Sequence, residues 1–196
     1  MLASITPLGE RGRQARWAIT MAAFVIGSVA AGCGAGALAG TMGAVVLPSS
    51  FGTRQRLAIL ALVALVALAV DGGPFAVPGP RRQVNERWLD EYRGWVYGVG
   101  FGAQLGLGVS TVVSSAATYL MLIAALLTGS VSGGVLIAGC FGAVRGLTLL
   151  AGAHVRTPGQ LLVLHARLQR WRAPAERLGL VTLTAILALA VAGSFG

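Results

Sequence analysis

The sequence has no lysine, only six acidic residues, two histidines and two cysteines among 196 positions. Its 11% charged residues are less than half of the roughly 25% in an average globular domain. That is too little charge to cover a water-soluble surface. Two cysteines exclude a disulfide scaffold, and a 56% hydrophobic content excludes disorder and collagen. What remains is Ala, Gly, Val and Leu at a mean hydropathy of +0.78, the composition of one small multi-pass membrane domain. All fifteen basic residues are Arg, giving a net charge of +9. The Ala, Gly and Arg bias points to a GC-rich bacterial genome, an inference about codons. Cytoplasmic Arg is what a membrane protein needs for its topology, so no nucleic-acid partner is expected.

Five apolar segments stand out: Trp17 to Leu47, Leu57 to Val70, Trp95 to Leu127, Gly134 to Ala153 and Leu178 to Phe195. A helix needs about 20 residues to cross the ~30 Å hydrocarbon core. The first and third blocks, 31 and 33 residues without a charge, are too long for one upright span and short for two. They are expected to tilt, kink or break into half-helices. The fold class is therefore all-α, a polytopic transmembrane bundle of about five spans, or six if one long block doubles back. Loop arginines orient it. Arg11, Arg13 and Arg16, then Arg81, Arg82, Arg87 and Arg93, then Arg156, Arg167, Arg170, Arg172 and Arg177 fall on one side. The positive-inside rule makes that side cytoplasmic, with the N-terminus inside a bacterial inner membrane. Arg54 and Arg56 fall on the wrong side. The run Ala30-Ala31-Gly32-Cys33 resembles a lipoprotein signal, but the apolar stretch continues for 14 residues beyond Cys33, where a lipoprotein turns polar.

A shift of 78 residues lays Trp17 on Trp95 and places Ser28, Gly32, Gly36 and Gly40 on Gly106, Ser110, Ser114 and Thr118. The chain reads as a basic tail (1–16), a first repeat (17–94), a second repeat (95–177) and a final helix (178–196). Small residues at every fourth position let backbones approach in lipid, where no hydrophobic effect drives association. The two stripes are expected to face each other at the centre of the fold. The connectors read as interfacial amphipathic helices: Val84, Trp88, Tyr92 and Trp95 in one, and Leu161, Leu164, Leu168 and Trp171 in the other, each opposed by Arg.

No metalloprotease, dithiol or phosphate-loop motif occurs, and His154 and His165 have no ligand partner at helical spacing. No cofactor or metal is expected. Cys33 lies about 24 Å from the cytoplasmic end of its block and Cys140 about 21 Å. Two thiols at one depth on opposite repeats are candidates for thiol–disulfide exchange, although most buried cysteines are merely small apolar residues. Arg145 is the charge inside a span, where it marks function or snorkels to the interface. With Gln104, Ser110, Thr111 and Ser114 it forms a candidate site for an anionic solute. Asp71 and Gln104 are its candidate partners.

A small repeat-built membrane protein with one intramembrane cysteine per half resembles the cytochrome c biogenesis thiol–disulfide transporters (CcdA/DsbD-like). The resemblance implies a relay of reducing equivalents through Cys33 and Cys140, with a thioredoxin-like protein as partner. That family has Pro beside its cysteines, where Gly32 and Gly34 flank Cys33 here. The alternatives are a small-anion permease built on Arg145 and the Gly/Ser seam, or a non-catalytic subunit among other membrane subunits. In every case the lipid bilayer is the first partner.

Overall fold

The computed structural model describes residues 5–12, 16–48, 50–79, 91–109, 113 and 115–195. Among them every element is helical: α1 (Pro7–Gly12), α2 (Trp17–Val46), α3 (Thr53–Gly72), α4 (Gly94–Leu107), α5 (Ala117–Leu127), α6 (Val131–Leu147) and α7 (Pro158–Phe195). A 3-10 turn, Thr148–Gly152, extends α6. Four helical stretches are long and apolar enough to cross a membrane: α2, α3, α6 with its 3-10 extension, and α7. No more than a third of the most apolar stretch of each is buried. Large residues such as Ile26, Leu38, Leu62, Leu136 and Leu189 stand exposed around the bundle. Water would not tolerate so broad an apolar belt, and lipid requires it. The chain is a multi-pass membrane protein.

The two long apolar blocks resolve differently. The first is one uninterrupted helix of 30 residues, about 45 Å long, and so longer than an upright crossing. The third is broken into α4 and α5, of 14 and 11 residues, each too short to cross alone. The polar stretch 128–133 becomes the tight reversal between α5 and α6. Gly129 takes φ +59° there, and the Ser130 side chain caps α6 by accepting from the Gly133 N–H at 3.1 Å.

Small residues govern the packing. α2 and α4 run parallel, with Gly98 against the Thr20 carbonyl, Gly102 against that of Phe24 and Gly106 against that of Ser28. Each of these pairs is 78 residues apart. α2 and α6 run antiparallel, with Gly32 on Ala138, Gly36 on Gly134 and Gly40 on Ser130. A β-carbon on any of these glycines of α2 would collide with a backbone carbonyl. The facing-stripe expectation therefore needs correcting. Among the described residues only Ser28 of the first stripe meets the second, at Gly106, and Gly32, Gly36 and Gly40 lie against α6 or its N-cap. Beyond that level the small face of α2 is taken up by α6.

α3 pairs antiparallel with the C-terminal half of α7, Leu57 meeting Gly193 and Gly72 meeting Leu180. Ala64, Ala67, Ala116, Leu120 and Leu183 form the core of that side. α7 is a single helix of 38 residues, about 57 Å, running unbroken through Pro174 and across the expected boundary at residue 177. The missing N–H of Pro174 costs little there, since residues 165–179 are exposed and solvent can satisfy the freed carbonyl. In the first connector, Val84 and Trp88 lie outside the described residues. Tyr92 and Trp95 are exposed.

At the other end, residues 5–12 are packed against the bundle. Thr6 accepts from the Gly9 N–H at 3.2 Å and Pro7 opens α1, the usual chemistry of a helix start. The Trp17 indole donates to the Ile5 carbonyl at 3.3 Å, and the Leu8 N–H to the Val155 carbonyl at 3.1 Å. Ile5 joins Met21, Phe24, Tyr97, Phe101 and Leu149 in a second core.

Candidate functional site

The break in the third apolar block is held by a glycine stop on one side and long-range hydrogen bonds from α3 on the other. α4 ends at Gly108, whose positive φ of +75° is one that glycine adopts freely and other residues rarely do. α5 resumes at Ala117. Its free N-terminus is capped from α3: the Asp71 carboxylate accepts from the Ala116 N–H at 2.8 Å and from the Ser115 hydroxyl at 2.6 Å. The Ser115 hydroxyl in turn accepts from the Ala117 N–H at 3.1 Å. Arg56, also on α3, serves the other end. Its guanidinium donates to the Leu127 and Thr128 carbonyls at 3.3 and 3.0 Å, and to Phe51 at 3.3 Å. An anion thus sits at the positive pole of α5 and a cation at its negative pole. Arg56 is thus held by backbone carbonyls and is not a free loop charge.

Arg145 reaches toward this break from α6. Its side chain is half-buried and lies over the Phe141 ring at 5.2 Å. A β-carbon placed on Gly108 would stand 3.5 Å from its Nη1. That nitrogen is buried without a hydrogen-bond partner among the described residues. Nor does any carboxylate among them form a salt bridge with Arg145. Asp71, a candidate counter-ion, has both oxygens engaged at the α5 cap. Ser28 seals the seam beside this region, its buried hydroxyl donating to the Gly142 carbonyl at 2.7 Å.

Of the other candidates, Gln104 is half-buried on α4. Ser110, Thr111 and Ser114 lie outside the described residues. His154 and His165 are exposed, and no cluster that could hold a metal occurs among the described residues. Both thiols are free, Cys33 half-buried and Cys140 exposed. The Cys33 sulfur lies 2.8 Å from where Gly139 would carry a β-carbon. Ala138 and Gly142 face α2, so at about 100° per residue Cys140, midway between them, points to the opposite side of α6. The two cysteines stand at one level of the α2–α6 seam, and neither is in a disulfide.

Sequence reasoning missed two features. Glu10 is fully buried, accepting from the Thr20 hydroxyl at 2.9 Å and the Tyr97 hydroxyl at 2.5 Å. Its trace in the sequence is that it is the one acid before Asp71, just after the helix-opening Thr6-Pro7. The second is the small-residue series Gly134, Ala138, Gly142 and Gly146, which has the same four-residue spacing as the stripe of α2.

No family model and no solved structure matches the chain. It is similar to a methylamine utilization protein. That relative, MauF of Paracoccus versutus, is 32% identical over 144 residues, covering 70% of this chain and 53% of MauF. The chain thus spans about half the length of the curated relative it matches.

Proposed function

We propose that the protein is a permease that passes a small anion across a bacterial inner membrane by way of Arg145. The observation that carries the reading is the Arg145 guanidinium at the break between α4 and α5, with one nitrogen buried and without a hydrogen-bond partner among the described residues. Arg145 stands in the last turn of α6, before its 3-10 extension; a charge held within a span is costly, and the described residues supply no carboxylate to offset it. An anion entering the break would do so. Discontinuous helices near the membrane centre are the usual construction of transporter sites.

The helix directions fit the finer architecture as well. α2 and the α4–α5 pair run one way, α3 and α6 the other, and α7 returns antiparallel to α3. We read this as five passes, the third broken, with the N-terminus cytoplasmic. The in-register contacts of α2 and α4 at a 78-residue offset fit two related repeats. From MauF we carry over only a setting, a membrane step accompanying methylamine utilization. Methylammonium itself is a cation that Arg145 repels, so it is not the solute. The thiol relay draws no support from Cys140, which points away from α2.

The test is flux into liposomes reconstituted with the full chain, using formate, chloride and methylammonium as probes. Formate or chloride should enter and methylammonium should not. Arg145→Gln should abolish anion flux, Arg145→Lys should retain part of it, and a variant with both cysteines changed to Ser should be unaffected. Undiminished flux in Arg145→Gln would overturn the reading.

A further inference from the structure

α7 packs on α3 but stands off from α6, leaving a cavity of about 540 Å³ between them. It is lined by apolar side chains from four helices, including Leu60, Leu120, Ile137, Phe141 and Ile186. At its end lies a second cavity of about 580 Å³, bounded by Asp71, Ser115, Arg172 and Glu176. Ala175 and Gly179 line both, so the two spaces adjoin. Each falls in the size range of ligand sites. Their sum is an amphipathic slot, an apolar trough with a charged mouth, placed where the arginine-bearing part of α7 meets its apolar half.

The charges at the mouth select a head group. Arg172 donates to Glu176 at 2.9 Å through Nε, which leaves its remaining N–H groups to face a phosphate. Glu176 and Asp71 add two carboxylates, so the mouth carries a net negative charge. A purely anionic head group meets repulsion from both acids. A quaternary ammonium offers them no N–H. A head group carrying a phosphate and a primary ammonium satisfies Arg172 and Glu176 together, with the Asp71 charge nearby, while its acyl chain fills the trough.

We propose that this slot binds a phospholipid of the phosphatidylethanolamine class. The proposal is independent of Arg145 and of any transport. The test incubates the purified full chain with mixed vesicles of dioleoyl phosphatidylethanolamine, phosphatidylcholine and phosphatidylglycerol, and counts retained lipid by native mass spectrometry. Ethanolamine lipid should be retained about tenfold over the other two, the scale of one lost charge-assisted hydrogen bond. Glu176→Gln should erase the preference over choline lipid. Arg172→Gln should lower retention of all three, as should Ala124→Trp, which fills the trough. Equal retention of the three lipids by the wild type, or an unchanged preference in Glu176→Gln, would overturn the proposal. Glu176 and Arg172 are exposed, so neither substitution threatens the fold.

Discussion

Asp71 and Arg56 lie near opposite ends of α3 and hold opposite ends of α5, the acid at its N-terminus and the base at its C-terminus. Fifteen residues separate them on α3, a rise of about 22 Å that spans the shorter α5. Each contact satisfies backbone groups that lipid would leave unpaired. Asp71→Ala should therefore cost about 1–2 kcal/mol, read as a lowered Tm in detergent. Asp71→Asn, which can still accept from the Ala116 N–H, should cost less. Equal losses in the two variants would remove the capping account.

The Glu10 carboxylate is buried between the Thr20 and Tyr97 hydroxyls. Tyr97→Phe removes one donor and leaves the acid partly unsatisfied, at a cost of about 2 kcal/mol. Faster proteolysis of residues 5–12 in that variant would report the loosened contact. An unchanged cleavage rate would show that the apolar contacts of Ile5 suffice to hold the segment.

Two glycines on α2 make an internal comparison. A β-carbon on Gly36 would run into the Gly134 backbone, whereas one on Gly34 meets nothing within 4 Å. Gly36→Ala should destabilise by about 1–3 kcal/mol through overpacking. Gly34→Ala should be neutral or stabilising by up to about 1 kcal/mol through helix propensity. Thermal unfolding of the two variants side by side checks the sign.

The cysteines differ in exposure. Both lie within spans, where the thiolate is disfavoured. A membrane-permeant maleimide should therefore label each slowly in intact membranes and both quickly after denaturation, read by mass spectrometry, and mild oxidation should give no bond between them. A Cys33–Cys140 disulfide in untreated membranes would restore the thiol relay to first place.

The helical membrane class could be read from the apolar blocks, and the reversal at 128–133 from its Ser, Gly and Thr. The break in the third block could be anticipated but not located, since Gly108 is one of many glycines and only its φ distinguishes it. The partner of Gly32, Gly36 and Gly40 was misassigned because small residues at a spacing of four recur in α6 as well, and spacing alone does not choose between two such faces. Arg145 stood out as a charge in an apolar run. That no described carboxylate pairs with it did not, because whether Asp71 neutralises it depends on Asp71 capping α5, a contact 45 residues away in the chain.

The glycine contacts among α2, α4 and α6 leave no slack: main chain rests on main chain, and those three rods must shift as one block. α5 is tied to both sides: its Leu126 carbonyl rests on Gly43 of α2 while α3 grips its two tips. A tilt of α3 would therefore load α5 against that rigid block and be felt at the break beside Gly108.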